Sequence, residues 1–186
     1  MDVTITSTMK KYFGYDRFRP GQEEIIASIL QKRDTMGIMP TGGGKSLCYQ
    51  LPALLLPGLT LVISPLIALM KDQVDALTSQ GIAASFINSS ISSGELRRRL
   101  QLAASGSLKL LYVAPERLES AAFTELLGKL PLTLVAVDEA HCVSHWGHDF
   151  RPSYLNIGPW IGALPQRPVL AAFTATATDR VREDIS

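Results

Sequence analysis

MPTGGGKS, at residues 39–46, lies between a short apolar segment and a segment with helical spacing. Three consecutive glycines let the backbone curl until several N–H groups face one anion. In such a loop Lys45 reaches the β- and γ-phosphates of a nucleotide, and the Ser46 hydroxyl binds Mg²⁺. A flexible turn with a solvated lysine is the alternative, but it leaves the glycines unexplained. The nucleotide contacts are predicted at Thr41, Gly42, Gly43, Gly44, Lys45 and Ser46.

The general phosphate-loop pattern has glycine where Met39 stands, so the segment matches only the second half of that pattern. The flanking elements provide the remaining support for a phosphate loop, because such a loop requires a strand before it and a helix after it. A strand is predicted over residues 36–39 and a helix over residues 45–56.

Strand-like and helix-like segments alternate along the rest of the chain. Further strands are predicted over residues 59–64, 83–88, 108–113, 132–137 and 169–174. Further helices are predicted over residues 20–33, 66–79, 94–104 and 117–127. Strands that are apolar on both faces belong in a parallel sheet covered by helices. The fold class is therefore α/β, in three layers, with a mostly parallel central sheet and ligands at the carboxyl ends of the strands.

Composition and charge argue against a disordered chain, a membrane-spanning protein and a disulfide-bonded secreted protein. The 186 residues are 46% hydrophobic, which is sufficient for one buried core. Lys and Arg number 18 against 17 Asp and Glu, so any nucleic acid must bind to a local patch. The longest apolar run, residues 51–64, contains two prolines and a glycine and is too short for a membrane span. Cys48 and Cys142 are not a C-x-x-C pair, which favours reduced thiols in a cytosolic or nuclear compartment.

Two adjacent carboxylates follow the apolar run at residues 132–137. Mg²⁺ prefers hard oxygen ligands, so Asp138 is predicted to hold the metal. Glu139 is predicted to orient and deprotonate the attacking water. The alternative is that both residues merely cap a helix.

Three segments resemble motifs I, II and III of superfamily 2 helicases: MPTGGGKS, DEAH at residues 138–141 and FTATAT at residues 173–178. The surrounding segments together resemble the first RecA-like lobe of RecQ family DNA helicases; they are FGYDRFRPGQ (13–22), SLCYQLPA (46–53), SPLIALMKDQV (64–74), YVAPERL (112–118) and HCVSHWGHDFRPSY (141–154). The last of these is the most specific, because it resembles the aromatic-rich loop that distinguishes this family. The resemblance implies a RecA-like P-loop NTPase domain over residues 12–186, with residues 1–11 as an N-terminal extension.

The resemblance implies further site residues. Gln22 would read the adenine edge, with Tyr15 and Arg19 against the base, although spacing alone makes Gln22 a first-turn helix residue. In the aromatic-rich loop, Trp146 and Phe150 would stack on unpaired bases, and Arg151 would pair with phosphate; a hydrophobic plug under a surface loop is the alternative. Coupling between DNA and ATP is implied for Trp146, His148, Asp149, Phe150, Arg151, Thr174 and Thr176, and His141 would link the ATP site to motif III.

Other polar clusters have competing interpretations. His141, Cys142, His145, His148 and Asp149 are zinc-type ligands in close succession, but Gly147 and the aromatic residues argue against zinc. Residues 64–66 and 114–117 resemble motifs Ia and Ib, and this resemblance implies that Lys71 and Arg117 lie where they can bind DNA phosphates. Residues 97–99 are three arginines after Glu95 on a helical pattern, which favours a solvated helix face.

The resemblance implies an ATP-binding lobe of a helicase that moves 3′ to 5′ along DNA in repair and recombination, using ATP and Mg²⁺. A second RecA-like lobe would supply an arginine finger, so these residues alone are expected to be nearly inactive. A non-catalytic DNA-binding or nucleotide-binding module and a phosphotransferase remain the alternatives. DNA is the expected partner, with no membrane, and the expected location is the bacterial cytoplasm with the nucleoid or the eukaryotic nucleus.

Overall fold

A six-stranded, all-parallel sheet forms the centre of the computed structural model, which describes residues 3–186. The strands are β1 (Thr35–Ile38), β2 (Leu59–Ile63), β3 (Ala84–Ile87), β4 (Leu110–Val113), β5 (Leu132–Val137) and β6 (Val169–Thr174). Their order across the sheet is β1-β6-β5-β2-β4-β3. All six predicted strands are present, and each observed strand lies within about one or two residues of its predicted bounds.

Helices cover both faces of this sheet. In the described part of the chain they are α1 (Val3–Phe13), α2 (Gln22–Leu30), α3 (Leu47–Leu55), α4 (Ile67–Ser79), α5 (Ser93–Ala104), α6 (Ala121–Gly128), α7 (Ile157–Gly162) and α8 (Asp179–Ile185). Short 3₁₀-helices span Pro115–Glu119, Ala140–Val143 and Pro152–Asn156. Every residue of β2 is buried, as a strand covered by helices on both faces requires.

One predicted helix is wrong in its boundaries. The helix expected over residues 117–127 is divided into the 3₁₀-helix Pro115–Glu119 and α6. Ser120 separates them because its backbone is extended, and its Oγ accepts a hydrogen bond from Phe123 N at 3.4 Å. A serine that caps a helix favours a new helix start over continuation of the previous turn.

The N-terminal segment forms a helix on the same domain. Met9 of α1 is fully buried and packs in one apolar cluster with Ile26, Leu47 and Leu51 of α2 and α3. The segment 3–11, predicted only as an extension, therefore contributes Met9 to the core next to the glycine loop.

The strand order places the sequence motifs side by side. β1, β6, β5 and β2 are consecutive neighbours, and their carboxyl ends lead to the glycine loop, motif III, the acidic pair and Ser64. Ile38 pairs with Thr174 across β1 and β6, and Val137 pairs with both Ala172 and Ile63. None of the helices in residues 3–186 combines the length with the hydropathy that a bilayer span requires.

Candidate functional site

The glycine loop adopts backbone conformations that few residues other than glycine tolerate. Gly42 and Gly44 have φ values of 77° and 82°. A Cβ on Gly43 would lie 2.8 Å from the Pro40 carbonyl oxygen, which accepts the Gly43 N–H at 2.9 Å. The turn therefore requires all three glycines, and it delivers the chain to α3, where Leu47 N donates to Gly44 O at 3.2 Å.

Gln22 and Arg19 hold this loop from the side of α2. Gln22 is 2% exposed; its Oε1 accepts from Arg19 N at 2.8 Å and its Nε2 donates to Gly44 O at 3.0 Å. The Arg19 guanidinium donates to Gly42 O. Gln22 is the first residue of α2, as spacing suggested, but its amide also contacts the glycine loop. Tyr15, Arg19, Gln22 and Gly44 line one cavity of about 220 Å³, so the predicted base-binding residues are brought together.

The acidic pair lies beside the glycine loop. Asp138 continues the β5 ladder, since its N–H donates to Ile63 O at 2.9 Å. Burial, together with the Glu139 charge, raises the pKa of Asp138 to about 6, while the nearby Lys45 charge acts in the opposite direction. Asp138 and Ser46 also line one small cavity. Ser46 and Asp138 therefore lie together, and Lys45 is near enough for its charge to act on the Asp138 carboxyl.

Glu139 has an unusual backbone. Its φ is 50°, in the left-handed region, and its N–H donates to the Asp138 carboxylate at 3.0 Å. Within the described residues, the Glu139 side chain caps no backbone N–H of the following 3₁₀-helix. The helix-cap interpretation of the acidic pair therefore does not apply to Glu139.

His141 connects the acidic pair to motif III. Its Nδ1 lies 3.0 Å from Thr174 Oγ1 and 3.4 Å from Glu139 Oε2. Because the Thr174 hydroxyl donates to Thr176 O at 2.9 Å, the hydrogen between His141 and Thr174 belongs to His141 Nδ1. Burial lowers the pKa of His141, which keeps the ring neutral near pH 7. This observed contact agrees with the link that the resemblance implied.

The aromatic-rich loop is stacked mostly on itself. The Phe150 and His145 rings lie 3.7 Å apart, and the His148 and His141 rings lie 4.4 Å apart. Trp146 is 68% exposed, with the Arg180 guanidinium of α8 4.7 Å from its ring centroid. Trp146 therefore has an accessible ring, whereas Phe150 would have to leave His145 to offer the stacked face to a base.

Arg151 is paired with carboxylates at the end of this loop. Its guanidinium lies 3.3 Å from Asp149 and 3.1 Å from Glu116. A phosphate that bound Arg151 would have to replace these contacts.

The zinc-type residues pair with other groups. Cys142 is buried, and its Sγ lies 3.9 Å from Asp149 Oδ2. Among residues 3–186, no group of three or more histidine, cysteine or acidic side chains is arranged to hold a metal ion.

Basic residues outside the aromatic-rich loop also form ion pairs or hydrogen bonds within the protein. Lys71 pairs with Asp75 at 2.5 Å, and Arg117 donates to Asn88 O at 2.7 Å. Glu95 pairs with Arg98, which is exposed, but Arg99 is only 16% exposed and donates to Phe86 O. The solvated-face prediction for residues 97–99 is therefore wrong for Arg99, because this side chain extends from α5 onto the edge strand β3.

Sequence reasoning missed three tyrosines in the site. Tyr154 donates its hydroxyl to the Asp138 carbonyl at 2.8 Å. Tyr49 and Tyr112 are buried and line one small cavity together with Asp138, and Gln50 Nε2 donates to the Tyr112 hydroxyl at 3.0 Å. Tyr49 and Tyr112 sit within apolar helix and strand patterns, so no local signal distinguishes them from core residues. Tyr154 is the last residue of the aromatic-rich segment 141–154, and its place in that segment is the sequence signal that could have identified it as a site residue.

The DEAD/DEAH box helicase family matches residues 19–185, and the chain belongs to this family. Over 180 residues it is 54% identical to the ATP-dependent DNA helicase RecQ of Bacillus subtilis, covering 96% of this chain and 30% of that protein. Its identity to RecQ of Pasteurella multocida is 50% over 182 residues, covering 98% of this chain and 29% of that protein. These identities confirm the resemblance to RecQ helicases. The chain spans about 30% of the length of these curated relatives.

Solved structures share the fold at low identity. A hypothetical ATP-dependent RNA helicase from Sulfolobus tokodaii superposes with a TM-score of 0.74 at 19% identity, over 100% of this chain and 54% of that one. Mycobacterium smegmatis helicase Lhr, solved with ssDNA and AMP-PNP, superposes with a TM-score of 0.70 at 18% identity. The superposition covers 98% of this chain and 26% of that one. The likeness confirms the α/β, RecA-like fold class.

Proposed function

We propose that the chain is the ATP-binding lobe of an ATP-dependent DNA helicase that couples ATP hydrolysis to movement along single-stranded DNA. The convergence of Lys45 with Asp138 and Glu139, at the carboxyl ends of the two strands β1 and β5 that flank β6, carries the proposal. The relatives from Bacillus subtilis and Pasteurella multocida, 54% and 50% identical to the chain, are both named ATP-dependent DNA helicase RecQ. The 3′ to 5′ direction and a role in repair and recombination rest on the RecQ resemblance.

The nucleotide is proposed to lie along the glycine loop. The base would enter the cavity lined by Tyr15, Arg19 and Gln22, and Lys45 would bind the β- and γ-phosphates. Gln22 already uses one donor and one acceptor on the protein, and its amide retains one further donor and one further lone pair for adenine.

The residues at the metal position fit Mg²⁺. Ser46 and Asp138 present a hydroxyl and a carboxylate to the same small cavity, and hard oxygen ligands are what Mg²⁺ prefers. When bound, the ion would neutralise charge that develops on the transferred phosphoryl group. Glu139 would orient the attacking water and accept its proton, while neutral His141 would connect that carboxylate to Thr174.

DNA is proposed to contact the aromatic-rich loop. Trp146 would stack on unpaired bases, which requires no particular sequence, and Arg151 would exchange its carboxylate partners for phosphate. A second RecA-like lobe would supply the arginine that completes the site. Without that arginine, hydrolysis is expected to be about 10³- to 10⁵-fold slower.

ATP hydrolysis with and without single-stranded DNA tests the proposal. In the two-lobe protein, Glu139→Gln should bind Mg²⁺–ATP as tightly as the parent but hydrolyse it about 10²- to 10⁴-fold more slowly, because a general base is lost. Glu119→Gln, which changes an exposed glutamate in the 3₁₀-helix Pro115–Glu119, is the matched control and should hydrolyse normally.

Two outcomes would contradict the proposal. Hydrolysis by Glu139→Gln at the parent rate would exclude the assigned base. DNA binding without any ATP turnover by the two-lobe protein would favour the non-catalytic binding module.

A further inference from the structure

One buried hydroxyl joins the aromatic-rich loop to the acidic pair. Tyr154 lies in the 3₁₀-helix Pro152–Asn156 that follows the loop, and it is 2% exposed. Its hydroxyl donates to the Asp138 carbonyl oxygen at 2.8 Å. That carbonyl belongs to the peptide group that joins Asp138 to Glu139.

The Asp138–Glu139 peptide is held at both ends. Tyr154 binds its C=O, and the Asp138 carboxylate accepts its N–H at 3.0 Å. The orientation of this peptide determines the φ angle of Glu139, which is 50°. A residue other than glycine stays in the left-handed region only where its surroundings hold it there. The Tyr154 hydroxyl is therefore one of the groups that determine where the Glu139 carboxylate points.

Tyr154 is tied closely to the loop residues proposed to meet DNA. Its N–H donates to Arg151 O at 3.0 Å, and Arg151 N donates to Cys142 O at 2.9 Å. Cys142 and Tyr154 are buried in the same apolar cluster, and the Cys142 Sγ lies 3.9 Å from Asp149 Oδ2. Arg151 pairs with Asp149 and Glu116. A DNA phosphate that replaced these carboxylates would move the Arg151 side chain, which lies three residues before Tyr154 in the chain.

We propose that Tyr154 is a positioning residue that transmits DNA occupancy of the aromatic-rich loop to Glu139 through the Asp138–Glu139 peptide. The inference rests on the proposed function. Tyr154 touches neither the phosphate loop nor the exposed face of Trp146 in this arrangement, so it acts on turnover and leaves nucleotide and DNA binding unchanged.

Tyr154→Phe, in the protein that contains this lobe together with a second lobe, is the test. The DNA-stimulated kcat should fall about 10- to 100-fold, because a small displacement of a catalytic group has a large effect on rate. The KM for ATP and the Kd for single-stranded DNA should stay within about twofold of the parent. Tyr12→Phe removes a hydroxyl from a partly buried tyrosine on α1 and should leave every parameter unchanged.

A double variant separates positioning from a general structural effect. Tyr154→Phe added to Glu139→Gln should slow hydrolysis no further than Glu139→Gln alone, because Tyr154 acts through that carboxylate. Additive losses, an unchanged kcat, or a rise in KM equal to the fall in kcat/KM would each overturn the inference. Failure of the parent protein to show DNA-stimulated hydrolysis would instead reject the proposed function.

A thermal unfolding measurement shows whether the Tyr154→Phe variant is folded. Should Tyr154→Phe not fold, 3-fluorotyrosine at position 154 keeps the shape and the hydroxyl while strengthening the donor. A changed kcat at constant KM then supports the inference, and an unchanged kcat overturns it.

Discussion

Asp138 is under opposing electrostatic influences. Burial and the neighbouring Glu139 charge disfavour its ionised form, whereas the Lys45 charge and the Glu139 N–H favour it. The net result is a pKa of about 6, above the ordinary 3.8. A carboxylate that is costly to ionise without a metal is well suited to a divalent cation, because the cation supplies the missing positive charge.

Asp138→Asn should stabilise the metal-free chain at pH 7.5. The folded-state pKa is raised, so the stability associated with the protonated group is present below about pH 4 and is lost as pH rises through about 6. The asparagine avoids that loss and should raise the free energy of unfolding by about 1–2 kcal/mol, because solvent screens part of the electrostatic cost.

Urea denaturation in EDTA at pH 7.5 and pH 3.5 measures this difference. Most of the gain should disappear at pH 3.5, where Asp138 is mostly protonated in both states. Asp72→Asn, on the exposed face of α4, should give no gain at either pH. A gain of equal size at both pH values would exclude ionisation of Asp138 as its cause.

Among the helices, α5 has a clear N-terminal cap. Ser92 is extended, and its Oγ accepts from Glu95 N at 3.2 Å. Glu95 in turn pairs with Arg98 and Arg99, and these guanidinium groups hold the pKa of Glu95 down to about 2. The Ser-x-x-Glu spacing predicts such a start, so this boundary follows from local sequence. The start of α6 is harder to predict, because Ser120 caps it with Phe123, not an acidic residue, three positions later.

Ser92→Ala should lower the free energy of unfolding by about 1 kcal/mol, because an N–H in the first turn loses its acceptor. Chemical denaturation of the purified chain measures the change. Ser93→Ala, one residue farther along and exposed, is the control and should change stability by less than about 0.5 kcal/mol. Equal effects of the two substitutions would show that the cap contributes nothing.

At the scale of the whole molecule, α1 packs against the helices that flank the glycine loop. Met9 has no exposed surface and contacts the cluster that contains Ile26, Leu47 and Leu51. Because Leu47 begins α3 directly after the loop, the N-terminal helix helps to hold the end of that loop.

Met9→Ala should destabilise the chain by about 2–5 kcal/mol, because the truncation leaves a cavity in the core. Thermal and urea unfolding measure the loss. Lys10→Ala removes an ion pair with Asp16 in which both side chains are about 70% exposed, and it should cost less than about 0.5 kcal/mol. A Met9→Ala variant as stable as the parent would show that α1 is not part of the cooperative unit.

Local patterns in the sequence were sufficient to predict the strands, most of the helices and the glycine loop. Alternation of short apolar runs with helical spacing depends only on neighbours along the chain, and consecutive glycines before Lys45 have few other uses. Strand order is different, because β1 and β6 are far apart in the chain and pair only in the folded sheet. That pairing, with β5 beside β6, brings Lys45, Glu139 and Thr174 together, and it also places the Tyr154 hydroxyl on the Asp138 carbonyl. Contacts of this kind depend on which surfaces pack, so residue spacing could predict the elements of the site but not the hydrogen bonds that connect them.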